Sequence, residues 1–334
     1  MITTTRWTDE KNDSLLAIEN LLLAAHPDEI LDDTASYMNW SIEKQLLNNE
    51  NIQLNGKNVE YNVYTFSVDY VPGGMQAEDD MTMRRSGFVV PYLSAGKVRY
   101  IIDRNSDALT LLRKMLGYTK KGEIVKSSMP VSGDMFVWLI SKVYTGDNLI
   151  ESNSDSLADL TVDSIRGFKG NTEDLLTKVS TSGETVMNII SSLSFLIESQ
   201  NLNQITLDLK YREHSNIEVS LSKKYTIATS MKRYMGELSN KTDFESKASL
   251  LLLLYIEIFP IIIQEYQIEV EATLWGQGKC VEFLQQVAED LSEKVKARIA
   301  DLNSRPEQLR IPLESEKNYR RLKDSLSFLR ERLF

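Results

Sequence analysis

Asp208 and Lys210 sit two apart in a strand-like stretch, Glu218 follows in the next one, and Asp163 lies upstream. Acids that hold Mg²⁺ beside a lysine that orients or activates water can hydrolyse a phosphodiester, so these four residues define a candidate nuclease or phosphodiesterase site, with Mg²⁺ as its cofactor. Cross-strand ion pairing on a solvated face produces the same pattern without chemistry. Other catalytic sets are scarce. Two histidines, His26 and His214, and one cysteine, Cys280, leave no zinc finger, His-rich cage or disulfide framework. No Gly-x-Ser-x-Gly elbow presents a serine, and both histidines read as surface residues, His26 before Pro27 and His214 in a hairpin loop. Cys280 follows Gly276-Gln277-Gly278, where a helix N-terminus would lower its pKa; a small apolar core residue fits the same place.

Phosphate cradles are missing. Neither a G-x-x-x-x-G-K-S/T loop nor a strand-associated G-x-G-x-x-G is present, so P-loop hydrolysis and Rossmann dinucleotide binding lack their backbone donors. Gly167-Phe168-Lys169-Gly170 has the spacing of the turn by which KH domains clamp a nucleic-acid backbone, although Glu173 and Asp174 would repel phosphate just after it. Basic pairs recur through the middle of the chain at Arg84-Arg85, Arg113-Lys114, Lys120-Lys121, Lys223-Lys224 and Lys232-Arg233. Gathered beside Tyr211 and Tyr225, they would make a backbone-tracking groove with stacking platforms; scattered, they only solvate the surface.

Charge is unevenly spread over the 334 residues, whose formal net charge is −10. Residues 1–80 carry fifteen acids against four bases, residues 81–240 twenty bases against seventeen acids, and the remainder is nearly balanced. An acidic total argues against binding nucleic acid over the whole surface but leaves room for a local basic face in the middle segment. With 42% hydrophobic and 26% charged residues the composition is that of an ordinary globular protein. No export signal or membrane-spanning run is expected, and with an unpaired cysteine the expected location is the cytoplasm. The longest apolar stretch, Leu250 to Ile263, contains Glu257 and Pro260 and reads as a buried core helix.

The elements that must position these residues follow from periodicity. Residues 1–55 predict an acidic helical segment: Thr8 caps a helix carrying Leu15, Ile18, Leu22 and Ala25, and further short helices run to Leu47 with Trp40 as a core anchor. Residues 56–240 predict a central α+β domain. A strand over Val59–Val71 ends at Pro72-Gly73-Gly74, and Ser94-Ala95-Gly96-Lys97 turns a hairpin between Phe88–Leu93 and Val98–Asp103. Ser106 and Ser132 cap helices ending at Gly117 and Gly146, and Thr181-Ser182-Gly183-Glu184 opens another through Ile197. Strict alternation over Ile205–Tyr211 and Ile217–Ser222 predicts a hairpin with one buried and one wet face. Residues 241–334 predict a helical region, including amphipathic helices with Leu284 and Leu291 on one stripe and Leu322, Leu326 and Leu329 on another. The last helix also carries Arg320 and Arg321 in a basic surface suited to an acidic partner.

Together these readings predict an α+β protein with a mainly antiparallel central sheet, flanking helices and helical ends. The expected function is a non-enzymatic binding or assembly component of a multi-protein complex. It would bind a protein partner, or itself, through the C-terminal helices, and nucleic acid through Arg84, Arg85, Lys169, Lys223, Lys224, Lys232 and Arg233, with no membrane contact and no cofactor. The alternatives are the Mg²⁺-dependent enzyme and a structural homo-oligomer. An anti-phage defence setting is an expectation with no residue behind it.

Overall fold

The computed structural model describes residues 1–26, 28, 35–72, 82–150, 160–171, 178–182, 190–198 and 201–304. It is an α+β fold built on one large antiparallel sheet. The sheet has two halves, and the N-terminal strand joins them. In β1 (Ile2–Asp9), Ile2–Thr4 pair with β14 (Ile227–Ser230), whereas Thr5–Thr8 pair with β7 (Lys97–Ile102) and Trp7–Asp9 with the short edge strand β8 (Ile124–Lys126). The N-terminal segment is therefore not mainly helical. Thr8 lies inside β1, and the helix that follows, α1 (Leu15–Leu22), is capped by Ser14, whose hydroxyl accepts from the Ala17 N–H. Threonines and an interleaved Trp7 suit a pleated strand, and two neighbours far along the chain decide the matter.

The first half continues through β2 (Ser36–Lys44), β3 (Glu50–Leu54), β4 (Lys57–Tyr61), β5 (Tyr64–Val71) and β6 (Met83–Ser94). Residues Ser36–Lys44 are thus a strand rather than short helices, and Tyr37 is the buried anchor while Trp40 lies half-buried at the core margin. The single strand expected over Val59–Val71 is two strands, broken at Asn62-Val63. There the buried Asn62 side chain donates to the Leu46 and Asn48 carbonyls and accepts from Val63 N–H, so the chain switches partner without stranding its polar groups. The β6–β7 hairpin closes at Ala95-Gly96, both with positive φ, as a two-residue hairpin turn requires. Leu15, Ile18 and Leu22 of α1 pack with Leu111, Leu112 and Met115 of α2 (Ala108–Met115) against Trp7, Val89 and Tyr100. Asp107, not Ser106, occupies the N-cap position of α2 and makes no side-chain capping bond.

The second half holds β9 (Leu149–Ile150), β10 (Leu160–Asn171), β11 (Lys178–Ser182), β12 (Asn201–Tyr211), β13 (His214–Ser222) and β14. Helix α3 (Gly133–Thr145) packs on β10 and β12. Ser132 caps α3, accepting from Met135 N–H at 3.0 Å, and Gly146 ends it in the left-handed region. Thr181 and Ser182 lie in β11 instead of capping a helix, Gly183 and Glu184 lie outside the described residues, and α4 spans Ile190–Glu198. The β12–β13 hairpin forms with a tighter turn than expected, at Arg212-Glu213, so His214 belongs to the strand and pairs with Tyr211.

Beyond a short 3-10 turn the chain is helical. Helices α5 (Asp243–Leu253) and α6 (Phe259–Glu271) run on through a π turn over Leu254–Ile258. Pro260 has no N–H to give, and the widened turn just before it is how the helix absorbs the missing rung. The 243–271 stretch is apolar and long enough to cross a membrane by composition, yet 78% of its most apolar window is buried inside the protein. Helix α7 (Gln277–Ser304) completes the described chain. Its buried positions include Phe283, which meets Tyr144 edge-on; Leu284 and Leu291 are half-buried and Val281 and Val295 exposed. The chain divides into compact units at Met1–Gln285 and Gln286–Phe334. Leu322, Leu326, Leu329, Arg320 and Arg321 lie outside the described residues.

Candidate functional site

The Asp-x-Lys set is brought together but is already occupied. Asp208 stands opposite Glu218 on β13 and Ser164 on β10, and Asp163 lies in a bulge of β10. Instead of lying on a wet face, Asp208 is buried, and its Oδ2 accepts from Arg166 Nε at 2.6 Å and pairs with Arg166 Nη2 at 2.5 Å and Arg233 Nη1 at 3.7 Å. Loss of solvent pushes the Asp163 carboxyl up, Lys210 pulls it back, and the Asp208 charge adds to the rise, so these three groups share one field. Among the described residues no three His, Cys, Asp or Glu side chains are placed to hold a metal ion. The arrangement is an ion-pair network between β10, β12 and the segment after β14.

Other sequence candidates take structural places. Gly167–Gly170 is not a turn: it runs inside β10 with β11 and β12 on either side, and Phe168 is buried and stacked on Phe195. His214 is buried, hydrogen-bonded through Nδ1 to the Tyr234 hydroxyl, and burial lowers its pKa. Cys280 is half-buried, and desolvation with Asp134 nearby raises its thiol pKa, contrary to helix-end activation. Arg84 pairs with Asp69, and Arg85 pairs with Asp107 while lying 3.5 Å over the Tyr70 ring. Lys223 binds the Asn201 side chain. Lys223-Lys224 and Lys232-Arg233 flank opposite ends of β14, and Lys169, Lys224 and Lys232 are exposed without an ion-pair partner among the described residues.

A different cluster combines charge with unmet hydrogen bonding. Alternation along β1 sends Trp7 into the core beneath α1 and α2, and Thr4 and Arg6 to the opposite face, against the π turn. Arg6 Nη1 donates to the Tyr255 carbonyl at 3.0 Å, and its guanidinium lies 5.4 Å and 5.6 Å from the Tyr225 and Tyr255 ring centroids. Tyr92 of β6 pairs directly with Arg99 of β7, which in turn pairs with Thr8. The Tyr92 hydroxyl thus stands beside both guanidinium groups yet has a well-formed bond to neither. Four buried polar atoms here make no hydrogen bond of good geometry among the described residues: Arg6 Nε, Arg99 Nε, Tyr92 Oη and Tyr225 Oη.

The electrostatics are one-sided. Tyr92 and Tyr225 are fully buried; burial raises both hydroxyls, Tyr225 to about 12, while Arg6 pulls each down. Both stay protonated near neutral pH and can donate. Lys126, whose neighbour Ser127 donates its N–H to the Arg6 carbonyl, has its pKa lowered by burial and then by Lys224, the residue before Tyr225. Arg6, Arg99, Lys126 and Lys224 make no ion pair among the described residues, whereas Arg84, Arg85, Arg166, Arg212 and Arg233 all do. Half-burying two guanidiniums without a counter-charge costs several kcal/mol in principle, which an anion seated on them would offset. Tyr211 and Tyr225, expected as stacking platforms, are both fully buried, Tyr211 donating to Glu257, and Arg6, Arg99 and Tyr92 were not singled out in the sequence. The available signal was a lone arginine inside each of two strand-like runs, Thr3–Thr8 and Val98–Ile102. Compared with known proteins, the chain matches no family model and no curated protein sequence.

Proposed function

We propose that the chain is a non-enzymatic, cytoplasmic binding or assembly component whose central sheet seats a phosphate-bearing ligand, with nucleic acid as the class and the C-terminal helical region as the surface for a protein partner. One observation carries the reading: the half-buried guanidiniums of Arg6 and Arg99, with Lys126 and the exposed Lys224 close by, have no ion-pair partner among the described residues. Guanidinium donors suit phosphate oxygens, and the nearby Lys126 and Lys224 extend the positive field towards adjoining phosphates.

The test is binding of labelled single- and double-stranded DNA and RNA across a salt series, with and without Mg²⁺. Salt-dependent binding is expected, weakened about tenfold by Arg99→Gln, with the salt slope reduced by about one. Tyr92→Phe removes a fully buried hydroxyl without removing charge and should leave the salt slope unchanged. No binding at low salt, or full binding by Arg99→Gln, would overturn the site. Mg²⁺-dependent cleavage would overturn the non-enzymatic reading.

A further inference from the structure

A second feature lies at the other end of β1, away from Arg6. Met1 and Ile2, Phe88 of β6, Thr229 and Ser230 of β14, the following Met231 and Lys232, and four residues of α5 enclose a cavity of about 370 Å³. Its deep wall is Phe88, Leu250 and Leu251, all buried and apolar. Polar groups sit elsewhere and are mostly committed: Thr229 Oγ1 donates to the Glu218 carbonyl, Ser230 Oγ accepts from Lys232 N–H, and Lys247 pairs with Asp243 at 2.5 Å. Lys232 is the exception, an exposed ammonium lining the cavity without an ion-pair partner among the described residues. An apolar chamber of this size with one orienting charge has the make-up of a small-molecule pocket.

We propose that this cavity binds a small amphipathic anion, its apolar body against Phe88, Leu250 and Leu251 and its carboxylate, sulfonate or phosphate head on Lys232. The volume takes one small molecule and excludes a peptide helix, about 10 Å across with its side chains. The committed Lys247–Asp243 pair is neutral, so the charge left to a ligand at the mouth is positive.

The experiment uses the full chain and anilinonaphthalene sulfonate, whose fluorescence rises on transfer into an apolar site. A saturable titration displaced by decanoate, and not by decylamine, is the expected result. Lys232→Glu should weaken decanoate about tenfold, and Met231→Trp, at a half-exposed wall, should block the site with the circular dichroism unchanged. Arg99→Gln should leave decanoate binding intact, which separates this pocket from the phosphate site. Absence of saturable binding, equal displacement by decylamine, or unaltered decanoate affinity in both pocket variants would overturn the proposal.

Discussion

At the scale of single residues, burial decides what a charged group does. Asp208 is one of the few buried acids, and Arg166 is only 15% exposed beside it. Asp208→Ala would take away the buried carboxylate that Arg166 and Arg233 both pair with, so a loss of about 3 kcal/mol in urea unfolding is expected, with no change in midpoint when Mg²⁺ is added to the parent protein. Arg99 has the opposite sign. Removing a half-buried cation that has no ion-pair partner among the described residues relieves a cost, so Arg99→Met should hold or raise the ligand-free melting temperature while weakening phosphate binding, a combination that simple damage to the fold would not give. Asp103 is a third case: its Oδ1 accepts from Phe88 N–H, and burial raises its pKa to about 6 from 3.8. The folded protein then holds a proton that the unfolded chain has released, and stability falls as pH rises from about 4 to 6. Asp103→Asn keeps the acceptor and loses the titration. Its stability relative to the parent should grow by on the order of 1 to 2 kcal/mol between pH 4 and pH 7, read from urea midpoints.

At the scale of elements, local chemistry was readable where it is self-contained. Ser132 and Gly146 bracket α3 because a cap acts within one turn, and Ala95-Gly96 closes β6–β7 because a two-residue turn sets its own geometry. Ser106 has the same residue type but no capping bond falls to it, since α2 begins one residue later than its spacing suggests. Ser132→Ala should therefore cost about 1 kcal/mol in denaturant unfolding, while Ser106→Ala should stay within about 0.5 kcal/mol. The helix expected at Thr8 failed for the complementary reason. A stretch of threonines carries no helical stripe of its own, and β14, β7 and β8, all distant in the chain, recruit it as a strand.

At the scale of the whole molecule, β1 is the seam that joins two antiparallel half-sheets, and both proposed sites lie along it, Arg6 near one end and Ile2 at the other. The compact unit Met1–Gln285 holds both. A chain ending at Ser304 should accordingly keep its decanoate binding, while weakening the protein partnership or self-association assigned to Leu322, Leu326, Leu329, Arg320 and Arg321. Light scattering and co-purification check this, and an unchanged mass for an associating protein would move that surface elsewhere. The sequence by itself determined the α+β class, the hairpins over 88–103 and 205–222, the buried helix around Leu250–Ile263 and the shortage of histidine and cysteine chemistry. Periodicity, turn residues and composition act over a few residues and need no tertiary partner. Only the tertiary structure decided that Asp208 is held by Arg166, that Gly167–Gly170 is strand, and that Arg6, Arg99, Tyr92 and Tyr225 meet without a carboxylate among the described residues. Which face a strand residue shares, and with what charge, is set by neighbours that the chain supplies from far away.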